Sequence, residues 1–355
     1  MIKVLQIIPS FGVGGAEKVV LNYLKYNNES SMHIKAVSLY PRQGSIYDEE
    51  ISDKKYDVEY LNKKRGFDLA VVHELRLLIR KYQPDVIHTH LYALKYLVLT
   101  GEIRGRKIFH TIHNQPEKDV GKMDVLLNKY FFQKNIVIPI ALQGKLAESV
   151  NTFYNVQTTK IIHNGIPLSD FKTPQKTSIL AKMNIDSETY IIGHVGRMSK
   201  QKNHTFIIKV FQKLNTEMQN SILLLVGTGE DEDKIYNMVK EMHLTDRVLF
   251  LGNRSDIPEL FNLMDVFFFP SLYEGLGIVL VEAQAAGVPC VVSEQIPDEV
   301  ILTPHIQKLS LNAPMEDWVY KLMHPETIYN NCIYEELGNY DIHKTMCDLE
   351  LLYSE

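Results

Sequence analysis

Phe267-Phe268-Phe269-Pro270-Ser271-Leu272-Tyr273-Glu274-Gly275-Leu276-Gly277-Ile278-Val279-Leu280-Val281-Glu282-Ala283 runs from three consecutive aromatic residues, through a Pro-Ser entry and two glycines, into an apolar stretch that stops at Gly287. The pattern predicts a buried parallel strand over Val266–Phe269, a loop, and a helix over Ile278–Ala286 with Gly287 as its C-terminal cap. Parallel α/β sheets place ligands outside the carboxyl ends of their strands, where loops enter helix N-termini that favour negative charge. Gly275 and Gly277 let backbone N–H groups approach phosphate oxygens or sugar hydroxyls. Glu274 lies at the loop and Glu282 eight residues on, inside the helix. A carboxylate accepts hydrogen bonds from both hydroxyls of a ribose diol, which suits Glu282, while Glu274 is placed to meet a transferred sugar. On spacing alone, a helix-entry acid and an unrelated helix residue explain the pair equally well.

Working outward, short apolar runs alternate with helical stretches on both sides of this segment. Downstream of Phe171 the strands are predicted at Tyr190–Val195, Ser221–Val226, Arg247–Leu251, Val266–Phe269 and Cys290–Val292, with helices at Asn203–Leu214, Glu232–Met242, Ile257–Met264 and Ile278–Ala286. Upstream, Val4–Ile8, Ile34–Leu39, Val58–Tyr60, Val86–His88, Lys107–Ile112, Ile136–Ala141 and Thr159–Ile162 read as strands, with helices such as Ala16–Tyr26 and Leu69–Lys81. Two successive α/β units mean two domains, and the turn chemistry of Asn164-Gly165-Ile166-Pro167 puts the linker near 164–175. The tail, Tyr340–Tyr353, carries Ile342, Met346, Leu349 and Tyr353 at helical spacing and reads as a terminal helix.

Other loops carry chemistry-bearing residues. Gly196-Arg197-Met198-Ser199-Lys200-Gln201-Lys202 follows a strand, and Arg197 and Lys202 can converge on a diphosphate; a solvated basic loop is the competing reading. Gly12-Val13-Gly14-Gly15-Ala16-Glu17 is GxGxxE rather than GxGxxG, and no acidic residue ends the second strand, so close backbone approach is favoured over NAD binding. His113 follows a strand and can hydrogen-bond a sugar hydroxyl or serve structure, whereas His88 and His90 are read as mainly structural. No HExxH, DxD or Cys/His pattern calls for a metal, and no Gly-x-Ser-x-Gly elbow offers a serine nucleophile.

The composition of the 355 residues, 45% apolar and 23% charged, is that of a soluble globular protein with room for two cores. The first apolar stretch is too short for a membrane span and lacks signal-peptide flanks. Cys290, Cys332 and Cys347 have no metal spacing and are odd in number, which predicts a reducing, cytoplasmic setting. Residues 1–170 hold 23 Lys/Arg against 17 Asp/Glu, and residues 171–355 hold 15 against 26. The basic first half suits an anionic membrane surface or an anionic lipid-linked acceptor, or else scattered solvated lysines; nucleic acid is disfavoured by the acidic overall balance.

Taken together, these segments resemble the GT-B glycosyltransferases of family 4, the group 1 glycosyltransferases, over nearly the whole chain. Pro270-Ser271-Leu272-Tyr273-Glu274-Gly275-Leu276-Gly277 through Glu282-Ala283 is similar to the family's PSxxEGxGxxxxEA signature, with its EX7E pair at Glu274 and Glu282. Gly-Gly-Ala-Glu at 14–17, Thr-Ile-His-Asn at 111–114, His-Asn-Gly-Ile at 163–166, Gly-Arg at 196–197 with Lys202, and Val-Gly-Thr-Gly-Glu at 226–230 add to the likeness. Leu276, where Phe is frequent, and Asn114, where Asp is frequent, depart from it. The resemblance, strongest to bacterial exopolysaccharide and capsule-assembly members, implies an α/β protein of GT-B architecture: two Rossmann-like domains whose parallel sheets face across a cleft. The domains would be 1–168 on the acceptor side and 169–337 for the nucleotide sugar, with 338–355 returning to the first as a helix. It further implies a retaining transferase using a nucleoside diphosphate sugar, UDP-linked, on a glycan or lipid-linked glycan, with no cofactor or metal.

Residue by residue, the resemblance implies that Glu282 binds the donor ribose and that Arg197 and Lys202 bind the diphosphate. Glu274, Gly275, Leu276 and Gly277 would contact sugar and phosphate, and Asn253 and Arg254 would lie where the base is received. His113 would touch the transferred sugar and Gly15 would approach its phosphate by backbone. A sugar-nucleotide epimerase of similar fold, or a catalytically silent sugar-nucleotide-binding subunit, are the alternative readings.

Overall fold

The computed structural model describes residues 1–172, 176–326 and 335–355; residues 173–175 of the expected linker and Cys332 lie outside them. The chain divides into one unit of Met1–Ile166 with Asn339–Glu355 and another of Pro167–Gly338.

In the first unit seven strands form one sheet: β1 (Ile2–Ile8), β2 (Met32–Ser38), β3 (Val58–Tyr60), β4 (Val86–His90), β5 (Lys107–Ile112), β6 (Ile138–Ala141) and β7 (Lys160–Ile161). Their spatial order is β3-β2-β1-β4-β5-β6-β7, every pair parallel. The second unit has β8 (Tyr190–Val195), β9 (Ser221–Val226), β10 (Val248–Gly252), β11 (Val266–Phe269), β12 (Cys290–Ser293) and β13 (Ile306–Leu309). Their order is β10-β9-β8-β11-β12-β13, again all parallel. Each sheet therefore reverses its winding once, between β1 and β4 and between β8 and β11. In doubly wound sheets that reversal leaves a crevice at the strands' carboxyl ends. The loops singled out in the sequence leave the carboxyl ends of β1, β8 and β11.

Several predicted boundaries move, with local causes. The strand predicted at Ile136–Ala141 starts at Ile138, because Ile136 and Val137 both donate their N–H to Phe131 O and close the helix Lys122–Gln133. The helix predicted over Ile257–Met264 ends at Phe261, where Leu263 N bonds Leu260 O and Met264 N bonds Phe261 O in tighter turns. The edge strand β13 and helices such as Ile46–Lys54, Ala93–Thr100 and Gly144–Tyr154 have no counterpart in the sequence reading.

The terminal helix, Ile342–Ser354, belongs to the first unit. Asp341 caps it by accepting from His343 N at 2.8 Å. Its Ile342, Met346, Leu349, Leu352 and Tyr353 are buried in a core with Val4, Ile8, Val20, Ile34 and Phe109. The Asn-Gly-Ile turn holds its start: Ile166 N donates to Tyr340 O at 2.8 Å, Ile342 N to Ile166 O at 3.0 Å, and Asn22 Nδ2 to Gly165 O at 3.0 Å. A Cβ on Gly165 would stand 2.6 Å from Ile342 Cα, so only glycine lets this helix seat. The second unit has its own core, in which Trp318 packs with Phe268, Ile207, Phe211 and Val266.

Candidate functional site

In the second unit, four loops at strand carboxyl ends are sewn into one surface. The loop after β8 is held on one side by the loop after β9: Gly196 N donates to Val226 O (2.9 Å), Met198 N to Thr228 O (3.0 Å) and Asp231 N to Met198 O (3.0 Å). Gly227, at φ +123°, and Gly229 lie so close to the Gly196 and Met198 backbone that a Cβ at either would collide with it. Asn253, after β10, donates to Thr228 Oγ1 at 3.1 Å. On the other side, Leu272 N donates to Gln201 O (2.8 Å) and Asn203 Nδ2 to Pro270 O (3.1 Å), joining the β8 loop to the β11 loop.

These stitches bring Lys202 onto Glu274. Lys202 Nζ donates to Glu274 Oε1 at 2.7 Å, with side-chain exposures of 15% and 5%, and lies 4.6 Å from the centre of the Phe269 ring. Gln201 Nε2 donates to Glu274 Oε2 at 3.3 Å and to Tyr273 O at 3.0 Å. Arg197 takes another direction: its exposed Nε pairs with Glu230 at 3.0 Å. Arg254 is engaged locally in a two-pronged pair with Asp256. The helix Ile278–Ala285 begins just beyond Glu274 at Gly277, whose φ of +70° is left-handed; no side chain caps it, and its first turn carries no acidic residue. Such an N-terminus carries a partial positive charge that favours anions. Leu276 is buried beside Gly277, and Glu282 is half-buried within the helix. Gln201 and Glu230 were quoted in the sequence only within longer segments and given no role; their partners lie 73 and 33 residues away.

In the first unit, His113 ends a chain of buried hydrogen bonds. Gln6 Oε1 can only accept, so at 2.9 Å His90 Nε2 carries the proton. Burial holds His90 neutral, with its pKa well below the usual histidine value, so its Nδ1 accepts from His113 Nε2 at 3.0 Å. At the other end Gln6 Nε2 donates to Tyr353 Oη (3.2 Å), which donates to His88 Nδ1 (2.6 Å), whose Nε2 donates to Thr111 Oγ1 (2.6 Å). The His88 and His90 rings stack at 4.5 Å. His113 is itself held neutral by burial, its pKa pushed down to about 3. It is therefore a neutral tautomer with the proton on Nε2 and serves as a hydrogen-bond partner, not a cation or an acid. Gly15 opens the helix Gly15–Lys25, and a Cβ there would meet nothing within 4 Å, so packing does not demand glycine at this position.

Two doubly wound sheets in succession, each with its glycine-bearing loops at the winding reversal, are the GT-B architecture. The glycosyl transferases group 1 model matches residues 175–317 and the Glycosyltransferase Family 4 model residues 13–170, and the chain belongs to this family of glycosyltransferases. EpsF of Bacillus subtilis (strain 168) is 29% identical over 330 residues, covering 89% of this chain and 85% of its own. A UDP-Gal:alpha-D-GlcNAc-diphosphoundecaprenol alpha-1,3-galactosyltransferase of Escherichia coli is 30% identical over 242 residues, 64% of this chain and 62% of the relative. In structure, Anabaena HepE in complex with UDP-glucose superposes with a TM-score of 0.84 at 19% identity, covering 100% of both chains.

Proposed function

We propose that this glycosyltransferase moves a hexosyl or N-acetylhexosaminyl unit, with retention, from a UDP-sugar to a hydroxyl of a glycan or lipid-linked glycan in cell-surface polysaccharide synthesis. The observation that carries the reading is the Lys202–Glu274 pair, set beside the uncapped N-terminus of the helix Ile278–Ala285 at the β8–β11 reversal. That end of the helix and the cation of Lys202 offer a diphosphate both backbone donors and positive charge. Glu282 is assigned to the ribose, Asn253 and Arg254 to the base, and Glu274, Gly275, Leu276 and Gly277 to sugar and phosphate. Arg197 reaches the diphosphate by leaving its exposed partner Glu230, a weak pair. His113 and Gly15 are assigned to the transferred sugar and its phosphate. As the bond from the anomeric carbon to the phosphate breaks, charge gathers on the diphosphate, where fixed dipoles and cations stabilise it. The acceptor oxygen bonds the same face of the carbon and its proton passes to the leaving phosphate. The work is assigned to these residues without metal or cofactor, and the relative named for UDP-Gal and a diphosphoundecaprenol-linked acceptor, with the HepE complex with UDP-glucose, supports the substrate classes.

The cytoplasmic enzyme proposed here works at the inner face of a membrane, and the helix Lys122–Gln133 supports the membrane contact. It exposes Met123 (85%), Leu126 (70%) and Tyr130 (56%) on one face, beside Lys122 and Lys129, the composition of a helix that lies in an anionic interface. Among the described residues no helix is long and apolar enough to cross a membrane.

The deciding experiment is UDP calorimetry in excess chelator, with single-turnover transfer to an extracted lipid-linked acceptor and NMR of the product's anomeric carbon. Glu282→Gln should lower UDP affinity about tenfold through a lost charge-assisted hydrogen bond. Gly15→Ala, which meets no protein atom, should leave folding and UDP affinity intact and slow transfer. UDP binding that disappears on chelation, unchanged affinity in Glu282→Gln, or an inverted product would each overturn the corresponding part of the reading.

A further inference from the structure

A cavity of about 520 Å³ opens in the first unit beside the carboxyl ends of β2, β3 and β4, lined among others by Tyr40, Lys63, Tyr92, Lys95, Tyr96 and Asp124. Its size is that of small-molecule pockets, roughly 300–1,000 Å³. Two features of its wall are unusual together. Lys63 is only 5% exposed, and its ammonium donates to Tyr40 Oη at 2.9 Å, Lys64 O at 2.9 Å and Gly66 O at 2.5 Å. Among the described residues no carboxylate pairs with it, although an unpaired buried cation is costly. Lys95 is half-buried and donates to Asp124 at 3.0 Å, which leaves two of its three N–H bonds for another acceptor. Two cations and one anion give the wall a net positive charge held in partly desolvated surroundings, where it acts strongly.

The second feature is aromatic. Tyr96 stacks with Phe67 at 6.0 Å and lies 6.5 Å from Tyr92. Lys63 Nζ sits over Tyr40 at 4.4 Å, and Lys95 Nζ over Tyr92 at 5.0 Å and Tyr96 at 5.8 Å. The protein's own ammonium groups thus take the place a cationic ligand would need against these rings. Rings with a polar tip, next to uncompensated positive charge, suit a ligand with an apolar ring face and an anionic substituent.

We propose that this cavity binds an anionic sugar, a glycan residue carrying a carboxylate or a phosphate, as the recognised part of the acceptor. This rests on the transferase reading above for its role, but the binding itself does not. Lys95 contacts the anion, Lys63 supplies fixed field without donating to it, and the half-buried Tyr92 carries the sugar ring, backed by the buried Tyr96.

The test is ligand-observed NMR and calorimetry on the full chain with methyl glucoside, methyl glucuronide and methyl glucoside 6-phosphate. The charged glycosides should bind about ten- to a hundredfold more tightly than the neutral one, and the preference should weaken with salt. Which of the two binds tighter identifies carboxylate or phosphate as the source of charge. Lys95→Gln should erase the preference, and Tyr92→Ala should weaken all three. Lys63→Met is the harsher variant, since its site is buried; the two half-buried positions keep the test decisive if that chain does not fold. Equal binding of neutral and charged glycosides, a preference that survives Lys95→Gln, or no binding of any probe would overturn the proposal. UDP affinity, measured on the same samples, separates the two ideas: discrimination between glycosides without UDP binding would sink the donor reading and leave the cavity's assignment standing.

Discussion

Lowering the pH from 7 to 5 should unfold the first unit before the second. Burial holds His88 and His90 well below the usual histidine pKa and pushes His110 and His113 down to about 3, so all four stay neutral at pH 5 in the folded unit. In the unfolded chain each titrates near 6.5 and takes up a proton over this range. Because the folded values are depressed, the unfolded state binds more protons below pH 6.5, and stability present above that pH is lost as pH falls. At pH 5 the loss is about 2 kcal/mol for each histidine, on the order of 8 kcal/mol for four, against a whole-domain stability of roughly 5–15 kcal/mol. The second unit has two comparable residues, His194, far below its usual value, and His204, pushed down to about 4, both through burial. Its loss should be about half as large. Ordinary carboxylates, with pKa values near 4, remain mostly ionised at pH 5, so the window isolates the histidines. The chain's single tryptophan, Trp318, is buried in the second unit and reports that unit alone, while far-ultraviolet circular dichroism reports both. Urea titrations at pH 7 should show closer transitions than those at pH 5, where the dichroism should fall first. His110→Leu should remove about a quarter of the first unit's shift, on top of a pH-independent loss from the 2.8 Å hydrogen bond between His110 Nδ1 and Thr89 Oγ1. Transitions that move together by the same amount, or a first unit as stable at pH 5 as at pH 7, would refute the reasoning.

Two other perturbations probe the remaining claims. Lys202→Met and Glu274→Gln should each cost about 3 kcal/mol, because each leaves a buried partner uncompensated, while the double variant should recover much of that loss. Urea titration followed by Trp318 fluorescence gives the cycle, and additive single effects would show that the two side chains are not coupled. Replacing Met123 and Leu126 with Ser should reduce co-sedimentation with anionic vesicles about tenfold for each buried side chain. Equal binding to neutral and anionic vesicles, or an unchanged double variant, would remove this helix from any membrane contact.

What was legible in the sequence was whatever a local backbone constraint imposes. Within the loops after β9 and β11, a close approach and a left-handed turn demand glycine, at Gly227 and Gly277, and the alternation of apolar runs predicted two parallel α/β units. Strand and helix ends were less legible, because hydrogen bonds such as Ile136 N and Val137 N to Phe131 O override apolar periodicity. Partnerships across the fold were not legible at all: nothing local ties Lys202 to Glu274, 72 residues on, or Lys63 to Tyr40.

The same limit shows why His113, His90 and Gly165 have to be understood together. Gly165 reads as turn chemistry, yet its missing side chain is what admits Ile342 and seats the terminal helix. That helix brings Tyr353 to Gln6 and His88. Gln6, oriented by donating to Tyr353, presents its carbonyl oxygen to His90, which fixes the proton on His90 Nε2 and thereby the proton on His113 Nε2. The last turn of the chain thus sets which nitrogen of His113 is protonated, through Tyr353, Gln6 and His90. A histidine assigned to a structural role by position, His90, is the link that determines the tautomer of its neighbour.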